Sequence, residues 1–110
     1  MERLVKGEVV VLPFPFSDLS NAKKRPALVI SVLKGDDVIL SQITSQARKD
    51  EYAISLIKKD FAKGKLNVDS YIRPNRLFTA DKRIVKRKIG RISNNKIKQV
   101  VERVCEIIKN

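Results

Sequence analysis

A small, mainly β fold, a partly closed barrel with one helix packed on it, is predicted by two observations. Short β-branched runs alternate with turn residues through most of the chain, and one stretch near the C-terminus repeats its apolar residues at helical spacing. The 110 residues suffice for one core and not for two, so residues 1–110 are expected to form a single domain.

Gly7 to Leu12 is rich in valine, and Pro13 is expected to end this first strand. Phe14 to Lys24, with Pro15, Ser17, Asp18, Ser20 and Asn21, reads as an exposed basic loop. Ala27 to Leu33 forms a second strand, Lys34 to Asp37 a hairpin turn, and Val38 to Ile43 a third strand. Tyr52 to Ile57 alternates as a fourth. Lys58 to Asp69 reads as a solvated connection with a short helical turn, followed by β segments near Ser70 to Arg73, Arg76 to Thr79 and Lys88 to Ile92. Ile97, Val100, Val101, Val104, Ile107 and Ile108 then recur at three- and four-residue steps along one stripe of a helix, with Ser93 as N-cap and Cys105 at the edge of the stripe.

Apolar residues make up 43% of the chain and aromatics only 5%, so the core must come from Val, Ile and Leu, while the 33% that is charged lies outside. Lys and Arg total 24 against 12 Asp and Glu, a formal charge of +12. Such an excess attracts polyanions and gains from counterion release, which makes nucleic acid the leading class of partner without naming a reaction. A single cysteine permits neither an internal disulfide nor a thiolate zinc site. No signal peptide and no apolar run of membrane-spanning length is found, so a cytoplasmic protein without membrane association is expected.

Histidine is absent. Its absence removes the commonest general acid and base near neutral pH, and with it the paired-histidine ribonuclease and Ser-His-Asp mechanisms. No glycine-rich phosphate loop is present, because Gly7, Gly35, Gly64 and Gly90 stand apart. Neither a metal ion nor a cofactor is called for. The chemistry left open is one in which RNA supplies its own nucleophile: its 2′-hydroxyl attacks the adjacent phosphorus while the protein orients the chain and stabilises charge on phosphate oxygens. A guanidinium, planar and permanently charged, suits that task, and a Thr or Ser hydroxyl can complete the anion site.

Four blocks in order resemble the PemK/MazF toxins, the mRNA interferases of type II toxin-antitoxin systems. They are Gly7-Glu8-Val9-Val10 with Pro13-Phe14; Lys24-Arg25-Pro26-Ala27-Leu28-Val29-Ile30-Ser31; Gln42-Ile43-Thr44-Ser45-Gln46; and Leu77-Phe78-Thr79-Ala80-Asp81-Lys82 with Lys88-Ile89-Gly90-Arg91-Ile92. The resemblance implies an SH3-like β-barrel with a C-terminal helix, a homodimer, and an endoribonuclease that cuts single-stranded RNA to leave a 2′,3′-cyclic phosphate and a 5′-hydroxyl. It also implies a cognate antitoxin, expected to be acidic and to fold on binding over the basic groove. Carried over by motif, the catalytic pair is Arg25 and Thr44. Around them Ser17, Lys23, Lys24, Ser45, Gln46 and Arg48 are the expected RNA contacts, with Arg73 and Asn75 nearby if the later strand borders the groove. Phe14, Phe16 and Phe78 are the candidates for base stacking. The segment between Phe16 and Arg25 is shorter than in several members of the family, so no RNA sequence preference is carried over. The competing readings are a catalytically inactive module of the same fold that binds nucleic acid or antitoxin, and a toxin directed at another protein, as relatives with this barrel act on DNA gyrase.

Overall fold

The computed structural model describes residues 3–14, 23–46 and 49–110. Among the described residues it holds seven strands and one long helix: β1 (Glu8–Phe14), β2 (Lys23–Val32), β3 (Asp37–Thr44), β4 (Ile54–Leu56), β5 (Phe61–Gly64), β6 (Ser70–Asp81), β7 (Arg87–Ile92) and α1 (Asn94–Lys109). Short 3-10 turns at Lys58–Asp60 and Lys82–Ile84 link β4 to β5 and β6 to β7. The strands form one antiparallel sheet in the order β4-β6-β3-β2-β1-β7-β5. The fold is thus mainly β with a C-terminal helix, as the patterning predicts.

Successive side chains of β1 and β2 feed two different cores, which is why these strands read as unbroken apolar runs rather than as alternating ones. Val9, Leu28, Ile30, Ile43, Ile54, Leu56, Ile72 and Ile92 pack with Val100 and Val104 of α1. Val10, Leu12, Ala27, Val29, Val38, Leu40 and Ala80 pack instead with Leu4 and Val85. Because the first core joins β4, at one edge of the sheet, to β7 near the other, the sheet must curl.

Two prolines shape the strands. β1 runs through Pro13 instead of ending there. The Val11 carbonyl faces β7, since it accepts from the Lys86 N–H at 2.8 Å. By alternation Pro13 faces the same way, and the β1–β7 ladder has already ended at Val11, so its missing N–H forfeits no bond. On β2, the Val29 carbonyl accepts from the Gly7 N–H at 2.8 Å on the β1 side. Alternation therefore turns the N–H-less edge of Pro26 toward β3, and the β2–β3 ladder stops one residue before it, at Ala27–Gln42. The β1–β2 ladder continues past Pro26 to Phe14–Lys23.

The expected solvated connection holds a strand, β5, which pairs with β7 through facing glycines. A Cβ on Gly90 would lie 2.3 Å from the Lys63 carbonyl oxygen, and one on Gly64 2.3 Å from that of Ile89. Only glycine permits this approach, a tertiary requirement that local composition does not reveal. The two β segments expected between Ser70 and Thr79 are one strand, whose pairing with β3 skips from Leu77 to Arg73. That offset is a bulge. In α1 the Ser93 hydroxyl accepts from the Lys96 N–H at 3.2 Å, the expected cap. The buried stripe is narrower than expected: Val100 and Val104 are buried, Ile108 is 69% exposed, and Cys105, at the edge of the stripe, is exposed. Among the described residues, no helix is long and apolar enough to cross a membrane.

Gly90→Ala is expected to force β5 away from β7 and to destabilise the protein by about 1–3 kcal/mol, the usual cost of overpacking. Urea denaturation checks it, and an unchanged midpoint would contradict the close approach.

Candidate active site

Pro26 withholds a donor from β3, so β2 and β3 part beyond Ala27–Gln42. Arg25 lies two residues outward on β2 and Thr44 two residues outward on β3, one on each side of the opening. Each is held from its far side: Arg25 is the register partner of Leu12 on β1, and Thr44 that of Tyr71 on β6. Ala27 and Gln42 share a face of the sheet, and the period of two gives their outward neighbours Arg25 and Thr44 a common face as well. Arg25 therefore stands on a strand, not at the end of a flexible loop, because β1 continues alongside it as far as Phe14.

A cleft of about 540 Å³ occupies this opening. Lys24, Arg25 and Arg87 supply its cations, Thr44, Ser45, Asn67 and Ser70 its neutral polar groups, and Val11, Pro26, Ile43, Leu66, Val68 and Ile89 its apolar wall. Among the described residues no carboxylate lines it. Arg25 and Arg87 are both exposed, and neither has an ion-pair partner among the described residues, so two guanidinium groups are available to an anionic ligand. Arg87 was not singled out from the sequence. It arrives because Val11 pairs with Pro26 on one side and Arg87 on the other, a rung across three strands that separation along the chain conceals.

The Thr44 hydroxyl closes a turn. Its oxygen accepts from the Gln46 N–H at 3.1 Å, and its O–H donates to the Gln46 carbonyl at 3.2 Å. The first bond fixes the oxygen; the second is long and can give its proton to a ligand oxygen instead. Ser45 lines the cleft, while Gln46, exposed, belongs to the turn that holds Thr44. Lys24 lines the cleft as well, whereas Lys23, also exposed, does not. Ser17, Arg48 and Phe16 lie outside the described residues, as does the side chain of Phe14. Phe78 is partly buried against the second core.

Arg73 and Asn75 border a separate cleft of about 270 Å³ with Lys49, Asp50, Glu51 and Tyr52. Arg73 Nε donates to Asp50 Oδ2 at 2.7 Å, and only 6% of the Asp50 side chain is exposed. The other Asp50 oxygen accepts from the Tyr52 N–H at 2.9 Å. Burial alone would raise the Asp50 pKa, but the hydrogen bonds from Arg73 and the Tyr52 backbone, with the Arg73 charge, outweigh it and hold the carboxyl below its usual 3.8. This pin ties the connection that leaves Thr44 and Ser45 back onto β6.

A group with a lowered folded pKa stabilises the fold above its unfolded value and loses that contribution as pH falls through the folded one. The pin should therefore be intact above about pH 4 and weaken below it, as the Asp50 carboxylate takes up its proton. Asp50→Asn is expected to lower stability at pH 7 and to converge with the parent in strong acid. Urea midpoints measured from pH 7 down to pH 2 check this, and a gap that widens on acidification would contradict it.

The sequence profile of the PemK-like, MazF-like toxins of type II toxin-antitoxin systems matches residues 5–108. No curated protein matches the chain by sequence. Among solved structures, an endoribonuclease in complex with its cognate antitoxin from a mycobacterial species superposes with a TM-score of 0.76 at 13% identity, covering 97% of this chain and 96% of that one. MazF from Deinococcus radiodurans gives 0.73 at 19% identity, covering 96% of each chain. A MazE-MazF structure from the same organism gives 0.75 at 18% identity, covering 94% of each. At these identities the superpositions establish the fold, and the profile establishes the kinship.

Proposed function

The chain belongs to the family of PemK-like, MazF-like toxins of type II toxin-antitoxin systems, and from that premise we propose that it is an endoribonuclease whose reaction takes place in the cleft between Arg25 and Thr44. The observation that carries the proposal is the convergence, where β2 and β3 part, of a fixed hydroxyl with cations that have no ion-pair partner and no neighbouring carboxylate among the described residues. A scissile phosphodiester of single-stranded RNA seats there. The 2′-oxygen forms a bond to phosphorus as the bond to the 5′-oxygen breaks; the 2′-hydroxyl gives its proton to solvent water, and the 5′-oxygen takes one from it. The products are a 2′,3′-cyclic phosphate and a 5′-hydroxyl.

Arg25 holds two phosphate oxygens as charge builds on the five-coordinate phosphorus, and its N–H groups hydrogen-bond the leaving oxygen while that oxygen takes its proton from solvent water. Thr44 turns its proton from the Gln46 carbonyl to a phosphate oxygen, while the Gln46 N–H keeps its oxygen in place. Lys24 neutralises the neighbouring phosphates, and Ser45 offers a hydroxyl to sugar or base. Neither catalytic role draws on a metal ion. Relatives are found with antitoxin, and this cleft has the sign of charge that an acidic antitoxin would cover, so occlusion of the cleft is the proposed means of neutralisation. The active form is proposed to be a homodimer, the commonest closed assembly.

Wild-type protein is expected to cut a long single-stranded RNA in EDTA and to leave cyclic phosphate ends. Arg25→Ala should slow cutting by about 10²–10³-fold, the usual effect of removing one charge-stabilising donor. Arg25→Lys should recover only part of that loss, because an ammonium cannot grip two oxygens in the same geometry. Thr44→Val should cost about tenfold, roughly one neutral hydrogen bond. RNA bound without cutting at any salt concentration would replace this reading with that of an inactive binding module.

A further inference from the structure

A second cleft, of about 660 Å³, adjoins the first and is also basic. Arg3, Lys63, Lys88 and Arg91 line it with Val5, Glu8, Gly64, Ile89 and Gly90. Glu8 is the one carboxylate among the described residues that line it, and it is engaged by Lys88 at 3.1 Å. Lys88 also donates to the Arg3 carbonyl at 2.6 Å, so this lysine belongs to the framework of the cleft. Arg3, Lys63 and Arg91 are all exposed, and none has an ion-pair partner among the described residues. Among the described residues the cleft's free charge is therefore positive.

The two clefts meet along β7 and the end of β5. Ile89 lines both; Arg87 serves the first and Arg91 the second. Lys63 and Gly64 line the second cleft, and the chain continuing from them lines the first with Leu66, Asn67 and Val68. The facing glycines that seat β5 on β7 thus also fix Lys63 beside Arg91, its register partner.

We infer that this second cleft is a docking track for the phosphates of the same RNA strand, outside the segment that is cut. The inference rests on the first cleft being the RNA-cutting site. Three free cations set beside one another suit a polymer with regularly spaced negative charges. A peptide docking by coupled folding would need apolar anchors, and among the described residues the cleft offers Val5 and Ile89 alone. Arg3, Lys63 and Arg91 act here as backbone contacts, indifferent to base sequence.

The test uses 2′-O-methyl oligonucleotides, which keep the phosphates but lack the nucleophile, so binding is read without cutting. Fluorescence anisotropy compares oligomers of about 5 and about 12 nucleotides, which bracket the range from one compact site to an extended one. The wild type is compared with the triple variant Arg3→Gln, Lys63→Gln, Arg91→Gln, whose folding is checked by thermal melting. The variant should lose at least tenfold more affinity for the long oligomer than for the short one. Its salt dependence for the long oligomer should fall by about 2 in log–log slope, at about 0.7 per phosphate contact. Equal affinity of variant and wild type for the long oligomer would overturn the inference, as would loss of polyglutamate binding with RNA binding intact, which would assign the cleft to an acidic protein. Length-dependent binding without any cutting of natural RNA by the wild type would support the track and contradict the nuclease reading. Cutting with no length-dependent loss would do the reverse.

Discussion

Pro26 has no N–H to give to β3, and the arrangement of the candidate site follows from that missing donor. Alternation along β2, fixed by the bond from the Gly7 N–H to the Val29 carbonyl, turns the proline's bare edge toward β3. The ladder ends at Ala27–Gln42, and the strands separate beyond it. Separation inside a sheet usually exposes unpaired backbone at a cost. Here β2 stays paired to β1, and β3 to β6, so each strand is held from behind while a gap opens between them. Arg25 and Thr44 stand on the two lips of the gap, rigid because their backbones belong to ladders. Positioning of this kind is what a reaction with a nucleophile built into its substrate requires of a protein.

Behind those lips the middle of β1 and of β2 is buried on both faces. One core takes the alternate residues of β1 and β2 together with α1, and the other takes the remainder with Leu4 and Val85. Double burial leaves little freedom of register, since a slip of one residue would exchange the two sets of side chains between cores. The positions of Arg25, Thr44 and Arg87 inherit that rigidity. The Asp50–Arg73 pin extends it into the connection after β3, where the Gln46 N–H holds the Thr44 hydroxyl.

Much of this was legible in the sequence, and what was not has physical causes. β-branched runs and turn residues announced β1 to β4, and helical spacing with a serine cap announced α1, because these signals are local. β5 is not legible locally: its one glycine, Gly64, matters only through the backbone of β7, which a local reading cannot see. β1 runs on through Pro13, against the local signal, because a proline ends a ladder only if its N–H would have been used, and the β1–β7 ladder has already ended at Val11. Arg25 and Thr44 were legible through ordered motifs. Arg87 was not, since its place in the cleft depends on a three-strand rung. Arg73 illustrates a different limit, because the Asp50 carboxylate that engages it is found only in the folded chain.

The central claim, that one phosphodiester is held across the gap opened at Pro26, is tested most directly by a crystal structure with an uncleavable 2′-O-methyl RNA. The account predicts a single phosphate within hydrogen-bonding distance of both the Arg25 guanidinium and the Thr44 hydroxyl, with the strand continuing past Ile89 toward Arg91. An RNA whose phosphates touch neither Arg25 nor Thr44, wherever else on the surface it lies, would contradict it.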